Sequence, residues 1–288
     1  MNTPRATVSK TLTFSCVDGP GNRLVVFLQG CTFTCRTCHN PHTMRLCNHC
    51  GDCIPACPQG ALSLTDGRIS FDPARCDQCD ACLRACPINA NPMVRSMSVE
   101  EVLELARVNR AFLDGITLSG GEATTQPRFI AALFRAIRTD PELRHLTCLI
   151  DSNGHLGSAG WDIVLPWTDG VMLDIKALDD TTHRALTGVG NALVLRSARF
   201  LHQMDKLHEL RFLVVPGYTD SRAEIGALAA FVQSLDPGIR VRLNAFQRHG
   251  VRGPARDWPA ATRDSVEIIA EWLRRSGLRE VETPAIYL

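Results

Sequence analysis

Cysteine is distributed very unevenly along this chain of 288 residues. Eleven of its 13 cysteines fall between Cys31 and Cys86, and only Cys16 and Cys148 lie outside that stretch. The first ten residues lack the apolar core of a signal peptide, and no apolar run reaches the roughly 18 residues needed to span a bilayer. We therefore expect a cytoplasmic protein. Disulfides are rare in that reducing compartment, so the clustering indicates metal ligation.

The first cysteine group is Cys31-x3-Cys35-x2-Cys38, and it directly follows the apolar run Leu24–Leu28. Three thiolates on one short loop can hold three irons of an iron–sulfur cube and leave the fourth iron open to substrate. The alternative is a zinc loop with His39 as its fourth ligand. The position of the loop at the end of a predicted strand favours the catalytic cluster.

Two further groups repeat one pattern, C-x2-C-x2-C-x3-C-P, over Cys47–Pro58 and Cys76–Pro87. This is the bacterial two-cluster ferredoxin run, in which the fourth cysteine of each copy ligates the other cluster. We predict two closed [4Fe–4S] clusters, which transfer electrons and do not bind substrate. The alternative, a pair of structural zinc sites, is disfavoured because both copies are intact. The predicted ligands are Cys47, Cys50, Cys53 and Cys86 for one cluster, and Cys76, Cys79, Cys82 and Cys57 for the other.

Elsewhere, short apolar runs alternate with amphipathic segments, which is typical of an α/β fold with a parallel sheet, either doubly wound or curled into a partial barrel. Residues 47–93 interrupt this alternation and contain a hairpin signal at Asp66-Gly67. We predict a partial (βα)6 barrel over residues 1–46 and 94–288, with an inserted ferredoxin-like domain over residues 47–93. The predicted strands are Leu24–Leu28, Ile116–Leu118, Leu146–Ile150, Val171–Ile175, Leu210–Val215 and Val241–Asn244. The predicted helices are Val99–Asn109, Pro127–Ile137, Leu193–Met204, Arg222–Ser234 and Ala261–Arg274.

The composition excludes some classes of partner. The formal net charge is +1, so no global field attracts nucleic acid or an anionic membrane surface. Cys148 lies in an apolar strand and Cys16 adjoins a turn, and we interpret both as structural residues.

The motifs together resemble those of the radical SAM enzymes, and among them the activating enzymes of glycyl radical enzymes, such as pyruvate formate-lyase activating enzyme. The resemblance covers nearly the whole chain. The ferredoxin insertion is absent from that activator but present in many relatives, and the combination is most similar to the branch called YjjW. The matching segments, in family order, are Asp18-Gly19-Pro20-Gly21, the cluster loop from Gly30 to Pro41, Ser119–Glu122, Asp151–Gly154, Met172–Lys176 and Arg211–Gly217.

The resemblance implies an oxidoreductase of the EC 1.97.1.- type that binds S-adenosylmethionine (SAM) and three [4Fe–4S] clusters. Such an enzyme cleaves SAM reductively to a 5′-deoxyadenosyl radical, which abstracts a hydrogen from a glycine of a partner glycyl radical enzyme. Reduced flavodoxin or ferredoxin would be the electron donor, and we expect a monomer. Two alternatives stay open at this point: a radical SAM enzyme acting on a small molecule, and a ferredoxin-type electron carrier. The three-cysteine loop opposes the carrier, which needs no open iron.

The resemblance also implies site residues. Cys31, Cys35 and Cys38 would hold the catalytic cluster. The implied SAM contacts are Thr37, Cys38, His39, Asn40, Gly120, Gly121, Glu122, Ser152, Asp174, Ile175, Lys176 and Arg211. The implied ligands of a monovalent cation are Asp151, Ser152, Met172 and Asp174, with Ser152 where the family usually has threonine. The family often has an aromatic–His pair after its last barrel strand; this chain has Phe246-Gln247, so either Gln247 or His249 would contact the adenosine. Asp18 is either a contact for the partner or a turn former.

Overall fold

The computed structural model describes residues 4–285 in two compact units. Within this range, the first unit contains residues 4–32 and 40–147, and the second contains residues 33–39 and 148–285. Residues 47–93 lie in the first unit, so their predicted separation as an inserted domain stays a prediction.

The first unit contains a mixed sheet in the order β6–β2–β1–β5. The strands of this sheet are β1 (Arg5–Leu12), β2 (Arg23–Leu28), β5 (Arg95–Ser98) and β6 (Gly115–Gly120). A separate two-stranded sheet is formed by β3 (Leu62–Thr65) and β4 (Arg68–Phe71). The helices of the unit are α1 (Ala81–Ala85), α2 (Val99–Asn109) and α3 (Pro127–Thr139). Strands β2 and β6 are parallel, whereas β1 runs antiparallel to both β2 and β5. The parallel pair is buried along nearly its whole length, as expected for strands covered on both faces.

Local sequence signals explain two elements of this unit. The Ser98 side chain accepts a hydrogen bond from the Glu101 backbone N–H, and the Glu101 carboxylate accepts one from the Ser98 N–H. This capping box begins α2 at the predicted residue. Asp66 and Gly67 both have positive φ angles, 50° and 71°, as a two-residue turn between β3 and β4 requires.

The second unit is a parallel sheet in the order β11–β10–β9–β8–β7 with helices between its strands. The strands are β7 (Thr147–Ser152), β8 (Gly170–Ile175), β9 (Leu207–Val214), β10 (Val241–Ala245) and β11 (Val281–Glu282), and the helices are α4 (Ser158–Val164), α5 (Asp180–Thr187), α6 (Ala192–Gln203), α7 (Arg222–Gln233) and α8 (Arg263–Arg275). Thr147, the first residue of β7, belongs to the first unit.

The prediction of an α/β fold is confirmed. Each of the six predicted strands and five predicted helices is present, with ends shifted by at most three residues. The sequence interpretation missed β1, β5, α1, α4, α5 and β11. Because β1 is antiparallel to its neighbours, the sheet is mixed and not purely parallel. None of the helices within residues 4–285 is long and apolar enough to cross a membrane.

Candidate functional site

Cys31 follows β2 in the first unit, and a neighbouring segment of backbone fixes its position. Gly30 has a φ of +102°, a conformation that favours glycine. The Gly30 N–H donates to the Thr43 carbonyl at 2.8 Å, and the Cys31 N–H donates to the Met44 carbonyl at 2.9 Å. These two hydrogen bonds therefore fix the backbone that connects β2 to Cys31.

The Gly120–Gly121 turn at the end of β6 packs directly on this segment. A Cβ atom on Gly120 would lie 2.1 Å from the Leu28 carbonyl oxygen, and one on Gly121 would lie 2.4 Å from the Gly30 carbonyl oxygen. The Glu122 N–H donates to the same Gly30 carbonyl at 2.8 Å. The glycines are thus required for packing beside Cys31, a reason that the sequence motif alone does not reveal.

Glu122 is buried, with 2% of its surface exposed. Its carboxylate accepts hydrogen bonds from the Thr124 backbone N–H at 3.0 Å and the Thr124 hydroxyl at 2.6 Å. The side chain therefore shapes the turn after β6.

The loop that carries Cys35 and Cys38 lies in the second unit, where the end of α5 holds it. The Thr34 N–H donates to the Thr187 carbonyl at 2.9 Å, and the Arg36 N–H donates to the Leu186 carbonyl at 2.8 Å. These two bonds fix alternate residues of the loop. The predicted SAM contact Thr37, which follows Arg36, is buried.

Phe33 and His183 form a buried support for this loop that sequence reasoning missed. The Phe33 ring meets the rings of His155 and His183 edge-on, with centroids 5.5 Å apart in each pair. Burial lowers the pKa of His183, whose Nδ1 lies 2.7 Å from the Val189 carbonyl oxygen. A neutral His183 that donates from Nδ1 fits this environment.

The loop after β10 contacts His39, the residue that follows the last cysteine. His39 Nε2 lies 3.0 Å from the Gln247 carbonyl oxygen, and burial lowers the pKa of His39. A Cβ atom on Gly250 would lie 2.1 Å from the His39 carbonyl oxygen. Gln247 is therefore placed against the cluster loop, whereas His249 is exposed and Phe246 is a core residue.

Asp174 and Lys176 project together from the end of β8. Lys176 Nζ lies 2.7 Å from Asp174 Oδ2. Burial alone would lower the pKa of Lys176, but the charges of Asp174 and Cys35 hold that pKa above its ordinary value. Lys176 therefore stays cationic at neutral pH. Ile175, between them, points the opposite way and is fully buried.

Arg211 on β9 lies at the centre of a buried charged cluster. Its guanidinium donates to Asp151 Oδ1 at 3.2 Å and to Met172 Sδ at 2.9 Å, and its Nε donates to Glu209. Burial alone would lower the pKa of Arg211, but Asp151 and Glu209 hold it above its ordinary value. Sequence reasoning missed Glu209, because a polar residue within a strand shows its burial only in the fold.

The four predicted cation ligands have protein partners in this arrangement. Arg211 contacts Asp151 and Met172, Lys176 contacts Asp174, and Ser152 Oγ accepts a hydrogen bond from the Gly154 N–H at 3.0 Å. The cation site stays a prediction. The predicted SAM contact Asn40 lies in the first unit, and its carbonyl accepts hydrogen bonds from Thr43.

Asp18 lies at the opposite end of β2 from Cys31. Its carboxylate accepts a hydrogen bond from Ser15 Oγ, and its carbonyl accepts one from Thr117 Oγ1 at 2.7 Å. The fully buried Arg23 joins the same turn, donating to Thr117 Oγ1 at 2.6 Å and to the Pro20 carbonyl at 3.1 Å. Six residues of strand extend about 20 Å, so Asp18 is remote from Cys31.

The two cysteine runs of residues 47–93 adopt the same backbone conformation. Equivalent positions in the two runs share left-handed φ angles. Most of the residues at these positions are not glycine, and residues other than glycine adopt such angles uncommonly. The pairs are His49 with Gln78 (60° and 61°), Gly51 with Asp80 (91° and 57°), and Gly60 with Asn89 (57° and 56°).

Backbone N–H groups are aimed at cysteine sulfurs in the same way in both runs. The N–H two residues after Cys47 and the one two residues after Cys76 each lie 3.4 Å from that sulfur. The N–H four residues after Cys57 lies 3.2 Å from its sulfur, and the corresponding distance for Cys86 is 3.3 Å. Such donors stabilise thiolates and tune the clusters that thiolates hold.

Residues of both runs share one small core. Cys53 from the first run packs with Cys82 and Leu83 from the second, and with Leu62 of β3. Burial raises the pKa of Cys53 and of Cys82 to about 11. If these two cysteines bind metal as predicted, binding would displace both protons. Within residues 4–285, no three Cys, His or carboxylate side chains converge tightly enough for a single metal ion, so cluster assignment rests on spacing and family.

A model of the Radical SAM superfamily matches residues 25–229. The chain therefore belongs to this superfamily, whose members use a [4Fe–4S] cluster and SAM.

Proteins similar to this chain show to which group within the superfamily it belongs. The (2S)-3-sulfopropanediol sulfolyase activating enzyme of Bilophila wadsworthia is 36% identical, over 82% of this chain and 83% of that protein. The isethionate sulfite-lyase activating enzyme of Nitratidesulfovibrio vulgaris is 34% identical, over 83% of each. The pyruvate formate-lyase-activating enzyme of Streptococcus mutans is 31% identical, over 84% of this chain and 78% of that protein. Within the superfamily, this chain belongs to the activating enzymes of glycyl radical enzymes.

Solved structures show the same fold at low identity. QueE from Escherichia coli aligns with a TM-score of 0.55 at 12% identity, over 97% of this chain and 94% of that one. A radical SAM methyltransferase from Sphaerobacter thermophilus aligns with a TM-score of 0.55 at 14% identity, over 91% and 66%. The predicted family and the radical SAM α/β fold are thus confirmed, while the YjjW branch stays a prediction.

Proposed function

We propose that this chain cleaves SAM reductively and generates a radical on one glycine of a partner glycyl radical enzyme, with two further clusters in residues 47–93. The bound catalytic cluster would supply one electron to SAM, which releases methionine and a 5′-deoxyadenosyl radical that takes hydrogen from the glycine. The relatives at 31–36% identity support this activity, since all three are named as activating enzymes.

The single observation that carries the assignment of the catalytic residues is the anchored cysteine loop. Cys31 follows β2 on a backbone fixed by Met44, and Cys35 lies between two residues bonded to the end of α5. Three cysteines within eight residues, with the backbone at Cys31 and on both sides of Cys35 held by these hydrogen bonds, fit a cluster that keeps one iron open. We assign Cys31, Cys35 and Cys38 as its ligands.

Charged groups at the ends of β8 and β9 fit the polar parts of SAM. Lys176 is a partly buried cation paired with Asp174, and we propose that these residues bind the carboxylate and ribose of SAM, as the family pattern implies. Arg211 would orient Lys176 and Asp174 through the group of charged side chains that it forms with Asp151. Gln247 is our candidate for the adenosine contact, because its backbone bonds His39 of the cluster loop.

The conformation of residues 47–93 supports two ferredoxin-type clusters. Equivalent backbone angles and N–H···S contacts in the two runs are the environment that such clusters require. We propose an inserted domain at residues 47–93 within a partial barrel of residues 1–46 and 94–288. Its donor would be reduced flavodoxin or ferredoxin, encountered in the cytoplasm by a monomeric activator.

Anaerobic reconstitution of the full chain tests the proposal. Iron should approach roughly 12 per chain, three clusters of four, and incubation with SAM and dithionite should release 5′-deoxyadenosine. Isethionate sulfite-lyase, the enzyme named in one relative, is the first partner to assay for a glycyl radical by electron paramagnetic resonance (EPR). Absence of 5′-deoxyadenosine would refute SAM cleavage. Turnover of a small molecule without a glycyl signal on any partner would refute the activating role.

A further inference from the structure

The two cysteine runs differ chemically at one pair of equivalent positions. In the first run, Asn48 Oδ1 accepts a hydrogen bond from the Cys50 N–H at 3.3 Å. In the second, Asp77 Oδ1 accepts one from the Cys79 N–H at 3.2 Å. The geometry is the same, but the side chain is a neutral amide in one run and a carboxylate in the other.

This difference places a carboxylate beside one of the predicted cluster ligands. Asp77 Oδ1 accepts the Cys79 N–H, and Asp77 Oδ2 accepts a hydrogen bond from Gln59 Nε2 at 3.4 Å. Reduction adds further negative charge, so a neighbouring carboxylate opposes it. Asn48 carries no charge, and its amide nitrogen is a hydrogen-bond donor.

Other carboxylates close to the cysteines do not separate the two runs. Asp52 in the first run stands where the second has Ala81, and Asp80 in the second stands where the first has Gly51, so each run carries one further exposed carboxylate. The second run also carries Arg84, an exposed side chain whose charge is screened by solvent. Asn48 and Asp77 are exposed as well, and they differ from these other groups because each accepts a hydrogen bond from a cysteine N–H of its own run.

The predicted site of Cys47, Cys50, Cys53 and Cys86 also lies on segments that pair beside the end of β2, within the first unit. The Gln29 side-chain nitrogen donates to the Arg45 carbonyl at 2.6 Å, and Arg45 pairs with Ala90. The Ala90 N–H is 3.3 Å from Cys86 Sγ, while Cys47 is two residues beyond Arg45. Two predicted ligands of the first cluster thus lie on segments that pair beside the end of β2.

We propose that Asn48 and Asp77 set the two cluster sites at different reduction potentials, with the site of Cys47, Cys50, Cys53 and Cys86 the more easily reduced. This inference rests on the proposed function, since it requires both clusters to form. A one-electron donor of the reduced flavodoxin or ferredoxin class is oxidised by one electron, and one cluster goes from the 2+ to the 1+ state. At equilibrium that electron resides on the more easily reduced site.

The test is an EPR-monitored redox titration of the reconstituted full chain carrying Cys35→Ala, which leaves two clusters to titrate. We expect two midpoints. Asp77→Asn should raise the lower one and Asn48→Asp should lower the upper one, each by about a tenfold change in the reduced-to-oxidised ratio, equivalent to about 59 mV for one electron. Asp66→Asn, an exposed carboxylate in the β3–β4 turn, is the matched control and should move neither.

The outcomes separate this inference from the proposed function. A wild-type chain with only about four irons would refute both. A chain with all three clusters but coincident midpoints, or equal shifts in Asp77→Asn and Asp66→Asn, would refute this inference alone. If the Asp77→Asn variant fails to bind one cluster, the proposal is tested by the Asn48→Asp variant. An unchanged upper midpoint in that variant overturns the proposal.

Discussion

Lys176 Nζ lies 2.7 Å from Asp174 Oδ2 at the carboxyl end of β8. A lysine side chain that is 20% exposed, with a partner carboxylate that is 27% exposed, can bind a second anion, such as the carboxylate of SAM, without losing its charge. A charge-assisted hydrogen bond contributes about 1.5–3 kcal/mol.

Lys176→Met should therefore weaken SAM binding by about tenfold or more, as measured by equilibrium binding to the reconstituted protein. Lys10→Met removes an exposed lysine of β1 and is the control. Equal affinities for the two variants would show that Lys176 does not contact SAM.

Gly121→Ala should prevent the catalytic cluster from assembling. The added methyl would lie 2.4 Å from the Gly30 carbonyl oxygen and 2.5 Å from the Thr43 carbonyl oxygen, so the backbone beside Cys31 must move. We expect iron content to fall by about four per chain, with SAM cleavage lost.

Gly226→Ala is the matched control, because a Cβ there meets nothing within 4 Å and alanine favours the helix by roughly 0.5–1 kcal/mol. Full iron content in Gly121→Ala would mean that the turn after β6 does not constrain the cluster loop.

Cys35→Ala should abolish SAM cleavage and leave the clusters of residues 47–93 in place, with roughly eight irons per chain. The reason is that the three groups of cysteines hold separate clusters. Cys16→Ser, at an exposed cysteine outside the groups, should retain cleavage and all iron. Cleavage by Cys35→Ala would disprove the assignment of the catalytic loop.

Stability should depend on pH through His183. Burial lowers the pKa of its imidazole in the folded chain, so below pH about 6.5 the unfolded chain binds a proton that the folded chain does not. This residue therefore makes the free energy of unfolding fall as pH decreases below that value, by at most about 1.4 kcal/mol per pH unit.

The check is urea unfolding between pH 5.5 and pH 7.5, compared with His183→Gln, whose profile should be flatter. His145→Gln, at an exposed histidine, should match the wild-type profile. A steeper profile in His183→Gln would contradict the expected sign.

Hydrophobic periodicity and local capping and turn signals predicted the alternating strands and helices, because each of those segments carries its own apolar pattern. They could not predict β5, whose sequence Arg-Ser-Met-Ser has little strand propensity and is extended because it pairs with β1. The short helices α4 and α5 were missed for a similar reason, since tertiary packing stabilises them more than propensity does.

The same limit applies to the candidate site. Cysteine spacing predicted which residues ligate metal, and the family motifs predicted which strand ends carry polar groups. His183 and Arg23 were missed because each acts through burial and partners distant in sequence, and Glu209 was missed because its burial within β9 shows only in the fold. Spacing also could not show that Gly121 is needed for contact with Gly30.

The two cysteine runs bury one another's side chains: Cys53 of one run packs with Cys82 and Leu83 of the other. Neither copy has a separate interior, so removing either would expose the apolar residues of its twin to water. The two runs should therefore fold or unfold together as one cooperative unit, so a chain that lacks one run should lose the order of the other.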